Sequence, residues 1–192
     1  MNVCLYGASS TEIGESYIAE TEALGELLAK NGHSLVYGAG GAGLMGAAAR
    51  GMKRGGGVVI GVVPSFLKVD GVLFDGCDEM IFTDTMRERK QIMEERADAF
   101  IVTPGGIGTY EEFFEIYTLK QLGQLQKPIV IFNINGYFDD MLAMLRRAVD
   151  ERFMRQASLE LVTVAHTPAG VLERLEAAQD APAVDIRSTK FV

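Results

Sequence analysis

Seven short apolar runs, dense in valine and isoleucine, recur along this chain with segments of helical period between them, and that alternation leaves few folds open. The runs at 2–6, 34–37, 58–63, 79–83, 99–102, 129–133 and 161–164 have strand length and are apolar nearly throughout, as strands buried on both faces are. The segments at 16–30, 44–53, 86–95, 110–122, 138–152 and 169–178 carry a helical repeat. Strands joined through helices pair in parallel, and right-handed crossovers lay the helices on both sides. The expected fold is therefore α/β, a doubly wound Rossmann-like parallel sheet with helices on both faces. A chain of 192 residues suffices for one well-buried core and is short for two, so a single domain over 1–179 is expected. From Asp180 onward, past the break at Ala181-Pro182, the sequence reads as a tail or partner-contacting arm.

Several chemistries are set aside by composition. Twenty-six acidic against 18 basic residues give a net charge of −8, which opposes nucleic-acid binding, since that rests on neutralising phosphates with Lys and Arg. No apolar run approaches the roughly 20 residues of a membrane span, and no basic leader precedes the first strand, so a cytoplasmic protein without membrane contact is expected. Cys4 and Cys77 lie far apart without ligand spacing and read as reduced, buried thiols. His33 and His166 fall in no metal-binding frame, and His33, after Gly32, sits where a helix end needs capping. Neither a Gly-x-Ser-x-Gly elbow nor a Gly-x-x-x-x-Gly-Lys-Ser/Thr loop is present, which argues against serine hydrolases and nucleoside triphosphatases.

In doubly wound sheets ligands bind beyond the carboxyl ends of the strands, and three of those ends here are glycine turns. They are Gly7 to Ser10, Gly38 to Gly43, and Pro104-Gly105-Gly106-Ile107-Gly108-Thr109. Close helix–sheet packing explains one such loop comfortably; three at one edge point to a ligand. The second contains G-x-G-x-x-G, but it follows the second strand and the next strand ends in Val63-Pro64-Ser65 without the acid that a ribose contact uses, so a hydride-transfer cofactor is not expected. The third leads straight into a helix. Glycine amides converge there without Cβ obstruction, and a helix N-terminus adds partial positive charge, a setting for a phosphate.

Two further groups belong to that edge. Thr109-x-x-Glu112 fits a capping box, a role that needs no chemistry, yet it closes the Pro-Gly-Gly turn and Glu111 already supplies an acid for the helix start. The helix N-terminus should keep Glu112 ionised, suited to act as a base or to stabilise a cation. Met86-Arg87-Glu88-Arg89-Lys90 places three cations at another helix start, against the dipole. A solvated face with pairs such as Lys90 to Glu94 accounts for Arg87 better than for Arg89.

These residues match a known family. Pro104 to Glu112 fits P-G-G-x-G-T-x-x-E, Met86 to Lys90 resembles M-H-x-R-K, and Tyr37 to Gly46 resembles Y-G-G-G-x-x-G-L-M-G. From about Val3 to Leu175 the chain resembles the LOG ("Lonely guy") family of cytokinin riboside 5′-monophosphate phosphoribohydrolases, often mislabelled lysine decarboxylases. The resemblance implies a homodimer without cofactor or metal that takes a nucleoside 5′-monophosphate and releases free base and ribose 5-phosphate. It implies catalytic roles for Arg89 and Glu112, and substrate contacts for Met86, Lys90, Gly105, Gly106, Ile107, Gly108, Thr109, Tyr110, Glu111 and Thr118. Arg87 stands where the family usually has His, and Ala39 replaces the middle glycine of the loop; both bear on base preference and pocket shape.

Cleavage of the C1′–N9 bond develops oxocarbenium character on the ribose, which an ionised Glu112 can stabilise while orienting water, with Arg89 holding carboxylate and substrate in register. A decarboxylase would need a Schiff-base lysine in a setting the sequence does not offer. A general AMP nucleosidase, and a non-catalytic nucleotide or molybdenum-cofactor carrier on the same sheet edge, are the alternatives.

Overall fold

The computed structural model describes residues 1–178 and 186–189. In chain order the strands are β1 (Asn2–Tyr6), β2 (Ser34–Tyr37), β3 (Val59–Pro64), β4 (Glu79–Thr83), β5 (Ala99–Val102), β6 (Ile129–Phe132) and β7 (Thr163–Ala165). The helices are α1 (Glu15–Lys30), α2 (Gly43–Arg54), α3 (Met86–Arg96), α4 (Ile107–Gln121), α5 (Asp139–Asp150), α6 (Gln156–Leu159), α7 (Pro168–Ala177) and α8 (Ile186–Thr189). The strands form one sheet in the order β4-β3-β2-β1-β5-β6-β7. Every pair is parallel, as the apolar runs require.

The order reverses between β1 and β5, and there Tyr6 stands opposite Val102. The crevice of a doubly wound sheet opens at this point, because the connections from the two strands leave in opposite directions. Successive side chains alternate across the sheet and split the core in two. Cys4, Tyr6, Val62 and Phe100 face α3, α4 and α5, meeting Met93, Phe113 and Leu145. Val3, Leu5, Leu35 and Ile101 face α1, α2 and α7, meeting Leu24, Met52 and Val171.

Small residues set how closely the helices pack. A Cβ on Gly25 of α1 would fall well inside contact with the Ala48 carbonyl, and one on Gly51 of α2 would strike that of Glu22, so the two helices meet backbone to backbone. At the end of α1 the amides of Gly32 and His33 donate to the carbonyls of Ala29 and Leu28 at 3.0 Å each, with Gly32 at φ 75°. This is a Schellman closure, and His33 caps through its backbone.

Most differences from the sequence reading are at element ends. The last strand begins at Thr163 rather than 161, with Leu161 and Val162 buried in the segment before it. The helix expected from 138 starts at Asp139, after the tight turn at Ile134–Gly136, and ends at Asp150. The expected tail from 180 lies largely outside the described residues. Within them, α8 places Thr189 in a buried position, where its hydroxyl donates to the Gln121 carbonyl at 2.7 Å.

No helix among the described residues is long and apolar enough to cross a membrane. Replacing Gly25 by alanine should cost about 1–3 kcal/mol, because the methyl meets backbone that cannot yield without separating α1 from α2. Urea unfolding checks this: an unchanged midpoint would mean that the pair adjusts freely.

Candidate active site

Arg89 is aimed inward by the way α3 begins. Thr85 caps the helix, its hydroxyl accepting from the Glu88 amide at 3.1 Å, while the Glu88 carboxylate accepts from the Asp84 amide at 2.8 Å. These bonds fix the helix start beyond β4 and turn Arg89 under the sheet edge. Its Nε donates to the Val62 carbonyl at 3.2 Å and its Nη1 to Glu112 Oε1 at 3.0 Å. The guanidinium lies so close over Gly38 that a Cβ there would collide with Nη2. This glycine is the space the arginine occupies.

Glu112 comes from α4, which starts earlier than the sequence suggests. The first helical residue is Ile107, not Tyr110, and the cap is Gly106, which has no side chain to offer. Thr109 therefore lies inside the first turn, no capping box forms, and Glu112 falls in the second turn. Thr109 is buried, its hydroxyl packed where a Cβ on Gly105 would be. Because Gly106 leaves the first amides uncapped, they open outward at the positive end of the helix.

Arg89 and Glu112 are each 8% exposed, so the ion pair is nearly out of water. Burial pushes the Glu112 carboxyl above the usual carboxylate range, against the downward pull of Arg89. Burial thus outweighs the help from the helix N-terminus on which the expectation of an ionised Glu112 rested, and Glu112 also lies a turn deeper than that expectation placed it. Burial also holds the Cys4 and Tyr6 protons tightly beneath the pair. Both are spectators at neutral pH.

The pair opens into a cavity of about 250 Å³ at the switch between β1 and β5, walled by Ala8, Met45, Met86, Gly108, Arg89 and Glu112 among others. Its rim is laced by backbone bonds. The Ala8 amide donates to the Pro104 carbonyl at 3.0 Å and the Leu44 amide to the Ala8 carbonyl at 2.8 Å, joining the three glycine turns. Ala39 holds φ 62°, a left-handed conformation that costs an L-residue roughly 1–2 kcal/mol and that glycine would take freely.

The expected site residues divide by position. Gly106, Thr109, Glu111 and Met86 line the cavity with the ion pair. Gly105 lines a second, more apolar cavity of about 210 Å³ on the far side of its turn. Ile107 is 85% exposed, Tyr110 is half-buried against Phe138, and Thr118 is exposed and outside the lining of either cavity. Lys90 pairs with Glu111, and with Glu115 at 2.9 Å, rather than with Glu94, so it bridges α3 to α4. Arg87 is exposed, as a solvated residue should be. Met45 belongs to the Tyr37 to Gly46 loop but was given no contact, and Tyr137, outside every motif, is brought to its cavity from a remote segment.

Comparison with known proteins bears on the chain as a whole. Residues 45–175 match a family model described as "Possible lysine decarboxylase". Among similar proteins, a probable cytokinin riboside 5′-monophosphate phosphoribohydrolase of Oryza sativa subsp. japonica is 37% identical over 91% of this chain and 71% of its own. The cytokinin riboside 5′-monophosphate phosphoribohydrolase of Mycobacterium tuberculosis is 40% identical over 84% of this chain and 86% of its own. Among solved structures, a molybdenum cofactor binding protein of Rippkaea orientalis superposes with a TM-score of 0.68 at 26% identity, covering 92% of this chain and 94% of its own.

Replacing Arg89 by methionine should cost about 3–5 kcal/mol at pH 7, because a buried carboxylate loses its counter-charge. The loss of Arg89 also raises the Glu112 carboxyl further, so the deficit should shrink as the pH falls to about 5 and the carboxyl takes up a proton. Urea unfolding at both pH values tests the sign; a pH-independent deficit would mean that packing, not charge, is what was lost. The chain belongs to the LOG family of cytokinin riboside 5′-monophosphate phosphoribohydrolases.

Proposed function

We propose that this LOG-family chain hydrolyses the N-glycosidic bond of adenosine-type 5′-monophosphates, cytokinin nucleotides among them, to free base and ribose 5-phosphate. The observation that carries the reading is the nearly dry Arg89–Glu112 pair opening into a cavity headed by the uncapped start of α4. The 5′-phosphate is placed at those amides, where partial positive charge and unpaired donors meet an anion. Binding at the phosphate then orients the ribose and directs C1′ toward Glu112.

As the C1′–N9 bond breaks, its electron pair leaves with the base and positive charge grows on C1′ and the ring oxygen. The Glu112 carboxylate faces that charge, accepts a proton from the attacking water, and the oxygen of that water bonds to C1′. The departing base takes its proton from solvent. A carboxyl raised by burial is a stronger base than an exposed one, so the desolvation that costs stability serves this step. Arg89, anchored to the Val62 carbonyl, fixes the carboxylate and keeps it ionised. Lys90 orders Glu111 at the cavity mouth.

The decarboxylase wording of the family model does not suit the residues. Pyridoxal phosphate needs a reactive lysine beside an acid for the ring nitrogen, and the cavity lining contains no lysine. Lys120, whose ammonium burial lowers to about 8, donates to the Lys127 carbonyl two turns beyond Glu112. A carrier role would have no use for a carboxylate and guanidinium buried together at such cost. Large apolar side chains left exposed, among them Phe66, Phe82, Met86 and Ile107, support a homodimer. The free thiols of Cys4 and Cys77 suit the cytoplasm.

Purified protein incubated with AMP and with isopentenyladenosine 5′-monophosphate should release free base, and Glu112→Ala should lose about a hundredfold or more of the rate. Nucleotide binding without release from either would overturn hydrolysis and favour the carrier. In kcat/KM, activity should fall on the acid side as Glu112 protonates, with a midpoint above the ordinary glutamate value of 4.5. A profile flat down to that value would remove Glu112 from the role of base.

A further inference from the structure

Behind the turn that heads α4, on the side away from Arg89 and Glu112, stands a tyrosine that none of the motifs includes. The Tyr137 hydroxyl donates to the Gly105 carbonyl at 2.6 Å across 32 residues of sequence. Its placement is built rather than incidental. Asn135 and Gly136 take left-handed conformations in the turn after β6, the Asn133 side chain accepts from the Phe138 amide at 2.7 Å, and its amide donates to Asp139 at 2.7 Å. The Asn135 side chain donates to the Ser16 hydroxyl at 2.9 Å, tying the turn to α1. The Tyr137 ring is wedged edge-on between Tyr17 and Phe138, with centroids at 6.2 and 5.1 Å. Burial, and then the Tyr137 hydroxyl alongside, push the Tyr110 hydroxyl up to about 12.

The consequence lies in the peptide that Tyr137 holds. The chain contains no cis peptide among its described residues, so the Gly105 carbonyl and the Gly106 N–H point in opposite directions. Gly105 and Tyr137 line the apolar cavity, whereas Gly106 reaches both that cavity and the one containing Arg89 and Glu112. With its carbonyl drawn to Tyr137 on the side of the apolar cavity, the peptide has its N–H directed the opposite way, and Gly106 is the residue of the two that also lines the ion-pair cavity. Glycine on both sides leaves this peptide without the Cβ contacts that would otherwise restrict its rotation. Without a fixed partner it would sample orientations that withdraw the donor.

We propose that Tyr137 is a positioning residue for the 5′-phosphate: by holding the Gly105 carbonyl it keeps the Gly106 N–H aimed at the anion. The inference rests on the phosphate site of the proposed function and adds a determinant of nucleotide over nucleoside recognition. Tyr137 touches no substrate. It acts through the backbone of the loop, which is why no catalytic or phosphate-binding motif contains it.

The test is Tyr137→Phe, which removes one oxygen and keeps the ring packing, with Tyr17→Leu as a control that disturbs the packing and keeps the hydroxyl. For Tyr137→Phe, binding of ribose 5-phosphate measured by calorimetry should weaken about three- to tenfold, the value of one well-placed hydrogen bond. KM for AMP should rise by a similar factor, with kcat nearly unchanged and the melting temperature lowered by about 2–4 °C, while kcat/KM for adenosine stays level. Tyr17→Leu should lower the melting temperature more than it changes the ratio of AMP to adenosine. Equal losses for AMP and adenosine in Tyr137→Phe, or unchanged binding of ribose 5-phosphate, would overturn the role. If the wild-type protein releases no base at all, hydrolysis fails, and the ribose 5-phosphate titration alone then decides for or against Tyr137.

Discussion

A guanidinium and a carboxylate withdrawn from water together impose more on this molecule than any other pair of side chains. Each loses hydration worth several kcal/mol, and only close mutual contact with further hydrogen bonds returns that loss. Arg89 and Glu112 meet at 3.0 Å, and the Val62 carbonyl takes a further guanidinium proton. The arrangement needs a glycine at 38, a helix whose cap turns Arg89 inward, and a second helix that delivers Glu112 a full turn below its start. Four remote segments converge on a single charge pair, and only the parallel sheet brings them to one edge.

That edge is where a doubly wound sheet has least backbone of its own to fill space. The reversal of strand order between β1 and β5 separates the two outgoing loops and leaves a crevice that small residues keep open. Ala8 joins the loops by its amide and its carbonyl, so the turns after β1, β2 and β5 behave as one framework. A rigid frame of amides beside a dry ion pair suits the cleavage of a bond whose transition state is cationic at one end and tethered by phosphate at the other. Stability is given up for this: burial raises the Glu112 carboxyl despite the arginine next to it.

Much of this was legible in the residues. The valine- and isoleucine-rich runs announced seven parallel strands, and Pro104 to Thr109 announced a turn into a helix, because both signals are local. Arg87, Arg89 and Lys90 all sit awkwardly at a helix start; a solvated face was the better account of Arg87 than of Arg89, and burial separates the two in that sense. The start of α4 was misplaced because Thr109-x-x-Glu112 imitates a capping box, while the true cap, Gly106, carries no side chain to signal it. The partners of Lys90 were misread for a related reason: helix spacing points to Glu94, but α4 brings Glu111 and Glu115 nearer. Tyr137 could not be read at all, since its hydrogen bond depends on how β6 lies beside β5.

The central claim is that Arg89 and Glu112 act as one unit on the glycosidic bond. A double-mutant cycle on kcat/KM for AMP hydrolysis, built from Arg89→Met, Glu112→Gln and the pair together, addresses it most directly. If the guanidinium works through the carboxylate, the double variant will be about as slow as the slower single variant. Losses that multiply would mean that the two residues contribute separately, and would contradict the account.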